Sequence, residues 1–361
     1  MKHLHDLPVL VLGLGASGLA MARWCARHGA RVTVADTRSQ PPQLQALQRE
    51  VPGAVFVGGS FDAALVQGSE IRAVYCSPGL SPETMAPVLD AARAVGLVVG
   101  GELDLFARAL QDLGAVETTE PDALQPPTAD AAQDELGDED ERAHAVGDDL
   151  PPTQDVVSPD GEMDEGVVEE PTPVVAPVQQ PLGYHPAVLA ITGTNGKTTV
   201  TSLTGQLVER AGKTVAVAGN IGPSLLDTLS AHMDADSLPE VWVLELSSFQ
   251  LDGVQGFEPT AATVLNLSQD HLDWHGGMAQ YAAAKARIFG QKGLMLLNRE
   301  DPLVMAMLPE PVKVKLQKPI VRAHQTFGGD MPRRPTDFGI ELVNGMAWLV
   351  RAMEADETRK R

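Results

Sequence analysis

Between Leu189 and Val200 the chain reads LAITGTNGKTTV, an apolar run that stops at glycines and resumes as a helical pattern at Lys197. A strand ending in such a turn gathers unpaired backbone N–H groups, and the helix that follows adds those of its first turn. Gly193, Thr194, Asn195 and Gly196 would form the loop, with Thr199 in the opening turn of the helix, and Lys197 would supply a point charge. Together they ask for a phosphate, and the Thr198 hydroxyl is placed for a Mg2+ riding on it. The segment is G-T-N-G-K-T and not the strict G-x-x-x-x-G-K-[ST], since Ile191 holds the first place of that pattern. A second chemical group lies downstream, where Val241 to Leu246 is apolar except for Glu245. A carboxylate in a buried parallel strand is costly unless it is paired or on a metal, which makes Glu245 a candidate for the same Mg2+.

Further on, the strand pattern from Thr263 to Leu267 delivers Asn266, Asp270, His271 and Asp273 to one strand end. His271 reads equally as a metal ligand and as a satisfied loop histidine. Lys285 stands in YAAAKARIF, a strong helix former, where a lysine is ordinarily a solvated surface charge. At the other end of the chain, Gly13-Leu14-Gly15-Ala16-Ser17-Gly18 lies between a strand pattern and a helix pattern, and Asp36 follows about twenty residues later. This is a G-x-G-x-x-G fingerprint in its proper context, with an acid able to hold a ribose hydroxyl. Its physics is a pyrophosphate on a helix N-terminus, so a nucleotide sugar satisfies it as well as NAD. Thr37 and Arg38 add polar groups beside Asp36, and Cys76-Ser77-Pro78-Gly79 is either a ligand-side strand end or a plain turn.

The elements needed to position these groups follow an alternating pattern. Strands are expected at 8–12, 31–35, 54–57, 72–75 and 97–99, with helices after the first glycine loop, near 62–66 and over 83–95, and a closing helix over 102–110. In the second half, a helix over 198–210 and strands at 214–218, 241–246, 263–267 and 293–298 are expected, then a hairpin turning on Asn344-Gly345. A chain of 361 residues suggests two domains and a linker. The net charge of −21 is concentrated between Gln111 and His185, where about twenty acids face the single Arg142 amid prolines. That stretch reads as a disordered acidic linker. The expected fold class is therefore α/β: a Rossmann-like domain over 1–110, an acidic insert over 111–185, and a P-loop ATP-binding parallel-sheet domain with a terminal hairpin over 186–361. No basic stripe argues for nucleic acid, no apolar run approaches a membrane span, and no signal peptide is recognisable, so the cytoplasm is expected; a monomer is expected as well. Cys25 and Cys76 read as buried free thiols.

With GTNGKTT, the Asn220 turn, ELSSFQL and NLSQDHLDWHG in order, the chain resembles the Mur ligases of peptidoglycan precursor synthesis. GLGASG, ADTR and CSPGL in the first region resemble the branch that adds D-glutamate to UDP-N-acetylmuramoyl-L-alanine. The resemblance implies that Ala16, Ser17 and Gly18 meet the UDP pyrophosphate, that Asp36 and Thr37 lie near the uridine, and that Asn220 touches the same substrate. It implies ATP on Lys197, one Mg2+ on Thr198 and Glu245, and a second on His271 and on Lys285, carbamylated. A carbamate converts a cation into an oxygen ligand, which a second magnesium needs. On this view Lys197, His271 and Lys285 serve phosphoryl transfer to the substrate carboxylate, and the resulting acyl phosphate is opened by the D-glutamate amine. The family has a third, carboxyl-terminal domain, whose pattern is not found after the hairpin, so substrate binding without competent ligation is the expectation. Other readings are an NAD(P)-dependent oxidoreductase, a folylpolyglutamate synthase relation, and a non-catalytic nucleotide-binding scaffold.

Overall fold

In the computed structural model, residues 1–115, 183–313, 315 and 319–353 are described. The expected acidic insert falls almost wholly outside them.

The first sheet grows from short aliphatic runs that can be buried on both faces, as a parallel sheet requires. Its elements are β1 (Pro8–Leu12), α1 (Ala16–Arg27), β2 (Arg31–Asp36), α2 (Leu44–Glu50), β3 (Val55–Gly58), β4 (Ala73–Cys76), α3 (Pro82–Ala94), β5 (Val98–Gly101) and α4 (Glu102–Gly114). The strands pair in parallel in the order β3-β2-β1-β4-β5. The order reverses direction at β1, so the loop after β1 opens at the switch point where such sheets bind ligands. Two local expectations are corrected here. The helix near 62–66 is one 3-10 turn, Ala63–Leu65, capped by the Asp62 carboxylate. The closing helix runs past Leu110 to Gly114, since Leu113 extends the stripe of Leu103, Phe106 and Ala109 against the core.

The second sheet is built from β6 (Ala187–Thr192), α5 (Lys197–Arg210), β7 (Val215–Gly219), α6 (Leu225–Asp234), β8 (Val241–Glu245), α7 (Ser248–Leu251), β9 (Ala261–Val264), α8 (Leu272–His275), α9 (Met278–Ala286), β10 (Leu294–Asn298), α10 (Pro302–Met305) and β11 (His324–Phe327). All its strands are parallel, in the order β11-β10-β9-β6-β8-β7. Strand β11 lies beyond the expected last core strand. Its residues HQTF carry no aliphatic run, and only pairing with β10 makes them a strand. Helix α6 was also not anticipated; Ser224 caps it, accepting from Asp227 N–H. The hairpin of β12 (Phe338–Val343) and β13 (Met346–Arg351) forms as expected. Asn344 and Gly345 both have positive φ, the conformation a two-residue primed turn demands.

Residues of both sheets share one hydrophobic cluster. Phe106 of α4 meets Trp242 of β8 edge-to-face at 5.0 Å, and both are fully buried. Helix α6 of the second sheet lies against α1 and α4 of the first. Both cysteines are free thiols, Cys25 buried as expected but Cys76 only half-buried, and burial pushes each up to about 12.

Candidate nucleotide and substrate site

The phosphate loop is held from three sides. Strand β6 ends at Thr192, whose hydroxyl donates to the Leu246 carbonyl at 2.7 Å, tying the loop to the end of β8. The Asn266 side chain reads both backbone groups of Asn195, accepting its N–H at 2.9 Å and donating to its carbonyl at 3.1 Å. Thr194 accepts from Ser268 N–H at 3.0 Å and meets the Tyr281 hydroxyl at 3.1 Å. Gly196 then turns the chain with φ +80° and caps α5. With Thr194 and Asn195 fixed from outside, the first N–H groups of α5 are free of those contacts, and Thr198 and Thr199 stand exposed beside them.

Two lysines converge on the loop. Lys197 Nζ donates to the carbonyls of Gly193 and Thr194 at 3.1 and 3.0 Å. Lys285 donates to Thr192 Oγ1 at 3.1 Å and to Gly193 O at 2.9 Å. Read locally, Lys285 was a solvated surface charge; it is instead only 2% exposed, because α9 turns that face onto the end of β6. Burial, with Lys197 close by, brings its ammonium down to about 7, so a substantial neutral, nucleophilic fraction exists near neutral pH.

Glu245 ends β8 beside Ile191 and Gly219 in the strand register. It is 2% exposed; Oε1 accepts from Asn220 Nδ2 at 3.1 Å, while Oε2 is buried without a partner. An orphaned buried carboxylate oxygen is expensive, and a cation is what would relieve it. The approach is tight: a Cβ on Gly219, at φ +126°, would lie 2.1 Å from the Glu245 carbonyl oxygen. Among the described residues no three His, Cys, Asp or Glu side chains gather as a metal cage. A Mg2+ that takes its remaining ligands from phosphate and water needs no such cage. His271 is exposed at φ +50°, its Nε2 3.4 Å from Asp270 and its ring 4.7 Å from Phe249. The structure thus brings Lys197, Lys285, Thr192 and the loop together, and joins Glu245 to Asn220, while His271 stays on the rim.

In the first sheet, the turn after β1 packs close on α1. A Cβ on Gly18 would fall 1.9 Å from the Gly13 carbonyl, whereas one on Gly15 would meet nothing within 4 Å. Asp36 is 1% exposed and satisfied by protein: Oδ2 accepts from Leu14 N–H at 2.7 Å, and Arg38 contributes its backbone N–H and two guanidinium N–H groups. Arg38 and these backbone donors hold the carboxyl down at about 2. Asp36 therefore shapes the loop and presents Arg38, while Ala16 and Thr37 lie exposed alongside. Ser77 is buried and donates to the Gly13 carbonyl at 2.9 Å, which makes the CSPG segment a brace for the glycine turn. Sequence reasoning missed Glu102, buried where the two sheets meet; an acid opening a helix looks like an ordinary first-turn charge.

A switch-point glycine turn on one parallel sheet, and on another a glycine-rich loop opening a helix beside a buried, half-partnered carboxylate, define a two-sheet α/β protein of the nucleotide-binding type. Residues 8–101 match the N-terminal domain described as Mur ligase, MurD-like, and residues 191–326 match the Mur ligase middle domain. The chain belongs to the Mur ligase family. Two curated relatives share 61% and 58% identity across all of this chain, from Polaromonas sp. and Albidiferax ferrireducens; a third, from Burkholderia thailandensis, shares 47% over 96% of it. Each is a UDP-N-acetylmuramoylalanine–D-glutamate ligase. The chain spans 65%, 58% and 55% of their respective lengths. Among solved structures, a MurF ligase from Thermotoga maritima in complex with ADP aligns over 98% of this chain and 57% of its own, at 13% identity and a TM-score of 0.40.

Proposed function

We propose that this chain binds UDP-N-acetylmuramoyl-L-alanine at the β1 turn and Mg2+–ATP at the phosphate loop, in the service of D-glutamate addition during peptidoglycan precursor synthesis. The observation that carries the reading is the meeting of adjoining strand ends: Lys197 and Lys285 on the loop after β6, and Glu245 with a partnerless buried oxygen at the end of β8. The close similarity to D-glutamate-adding ligases supports the substrate assignment.

On this reading Ala16, Ser17 and Gly18 receive the pyrophosphate on the N-terminus of α1, with Thr37 near the uridine. Gly193 to Thr199 cradle the ATP phosphates, and Lys197 offsets charge gathering on the transferred phosphoryl group. Glu245 and Thr198 would hold Mg2+, and His271 with a carbamylated Lys285 would hold a second. These ions would neutralise the phosphates. The L-alanyl carboxylate attacks the γ-phosphorus and ADP leaves; the D-glutamate amine then attacks the acyl carbon and phosphate leaves. Asn220, which holds Glu245, touches the UDP substrate. The proposed division is a substrate domain over 1–110, an insert over 111–185 and an ATP domain over 186–361, acting as a monomer in the cytoplasm. Among the described residues no helix is long and apolar enough to cross a membrane.

Calorimetric titration tests the assignment. UDP-N-acetylmuramoyl-L-alanine and Mg2+–ADP should each bind one site per chain, and NADH should not bind. NADH binding with no heat from the UDP ligand would overturn the reading in favour of an oxidoreductase.

A further inference from the structure

A second orphaned oxygen lies one helical turn beyond Thr198. Thr201 is 3% exposed, and its Oγ1 is buried without a hydrogen-bond partner. A threonine inside a helix has a ready acceptor in the carbonyl four residues back. Thr204 of the same helix uses it, donating to the Val200 carbonyl at 2.8 Å, whereas Thr201 makes no such bond to the Lys197 carbonyl. Among the described residues, Thr201 Oγ1 and Glu245 Oε2 are the only buried side-chain oxygens left in this state. Leaving either so is costly, and the meeting of both at one place needs a reason.

The way α5 crosses the sheet brings them together. Thr198, Thr201 and Gly205 follow one another at i, i+3 and i+7, on a single face of the helix. Gly205 lays that face onto β7: a Cβ there would lie 2.8 Å from Val217 Cγ2. Val217 precedes Gly219 in β7, and Gly219 pairs with Glu245 in the strand register. The helix returns against the direction of the strands, so going back from Gly205 to Thr201 is going up the sheet towards Glu245. A cavity of about 350 Å3 at this level is lined by Thr198, Thr201 and Glu245 together. It has room for a cation with several waters, each of which occupies about 30 Å3 in the liquid.

From this pairing we propose that Thr201 is a positioning residue of the cation site, its hydroxyl oxygen accepting a hydrogen bond from a water carried by the Mg2+ that Glu245 and Thr198 would hold; the inference rests on the nucleotide reading above. Mg2+ gives up its waters reluctantly and enters such a site with several of them. A water on the ion has spent a lone pair on the metal and keeps two O–H groups to donate. Glu245 Oε2 serves the ion itself, and Thr201 Oγ1, free of the helix backbone, accepts from the water. A partner of this kind orients the shell of the metal, and its loss weakens metal binding.

The test uses the full 361-residue chain with ADP and Mg2+. Calorimetric ADP titrations over a series of Mg2+ concentrations give the concentration at which the metal exerts half its effect, for wild type, Thr201→Val, Thr201→Ser and Thr204→Val. Thermal unfolding in EDTA gives the stability of each without metal. Thr201→Val keeps the shape and removes the hydroxyl, so it should raise the half-effect Mg2+ concentration by about ten-fold. Its metal-free midpoint should equal or exceed that of the wild type, because an unpartnered hydroxyl gives way to a methyl. Thr201→Ser restores the hydroxyl and should restore the Mg2+ response, and Thr204→Val, whose hydroxyl serves the helix, should leave that response as it is. A Thr201→Val protein that loses stability or fails to fold without metal overturns the proposal, since the hydroxyl would then serve the fold. An unshifted Mg2+ response in Thr201→Val, or an equal shift in Thr204→Val, overturns it as well. If Mg2+ leaves ADP binding unchanged in the wild type, the nucleotide reading itself fails, and this proposal with it.

Discussion

Glu245 and Asp36 are both acids at the ends of buried strands, and their surroundings give them opposite parts. Every oxygen of Asp36 has protein donors, so its charge contributes to the fold. Its depressed carboxyl, near 2 against an ordinary 3.8, stabilises the protein above pH 4, and that contribution is lost as pH falls towards 2. Asp36→Asn should therefore cost about 2 kcal/mol at neutral pH, and urea unfolding repeated at lower pH should show the two proteins converging between pH 4 and 2. Glu245 is the reverse case, with one oxygen buried and unanswered. Glu245→Gln removes a buried charge while leaving an acceptor for Asn220, so the metal-free thermal midpoint should stay level or rise. Mg2+ should then no longer tighten ADP binding, and a variant that still responds fully to Mg2+ would remove Glu245 from the metal site.

At the scale of elements, the two glycines of the β1 turn serve different ends. Gly18 lets α1 lie against the turn at a distance no side chain permits, while Gly15 borders open space at an ordinary φ of −92°. Gly18→Ala should destabilise by about 3 kcal/mol or more, the order expected of overpacking against backbone. Gly15→Ala should unfold at the wild-type midpoint yet bind UDP-N-acetylmuramoyl-L-alanine more weakly, because on the proposed reading its methyl would stand in the path of the pyrophosphate. Equal loss of stability in both would show that the turn has no ligand-facing side. The phosphate loop shows the same division of labour, with Asn266, Ser268 and Tyr281 fixing its backbone so that the first donors of α5 remain free.

Over the whole molecule, apolar packing and not surface charge holds the two sheets together. Arg23 meets Asp227 and Arg27 meets Asp234 across the α1–α6 contact, but all four are partly exposed. Exposed pairs contribute roughly 0–1 kcal/mol each, so Arg27→Ala should shift the thermal midpoint little. Phe106→Ala opens a cavity against Trp242 and should cost about 3–5 kcal/mol, read in urea unfolding. If Arg27→Ala proved the more damaging, the interface would be electrostatic.

Much of this was legible in the residues alone. Both glycine loops announce themselves because backbone approach to phosphate demands glycine whatever the rest of the fold does, and Glu245 stands out because an acid within VWVLE needs a reason. Strand and helix alternation likewise follows from local pattern. The fate of Lys285 does not: YAAAKARIF is the same helix whether its lysine meets water or the end of β6, and only packing chose the latter. Strand β11 has no apolar signature and exists because β10 offers it an edge. Asp36 was legible as an acid near the turn, but which donors would reach it depended on how Arg38 folds back. Glu102 was invisible as a buried contact between the sheets, since the Leu226 N–H it accepts comes from 124 positions away. Sequence by itself determined which groups could do chemistry, because residue type and local spacing set that; tertiary structure alone decided which of them are desolvated and which meet, because burial and long-range contact are properties of the folded chain.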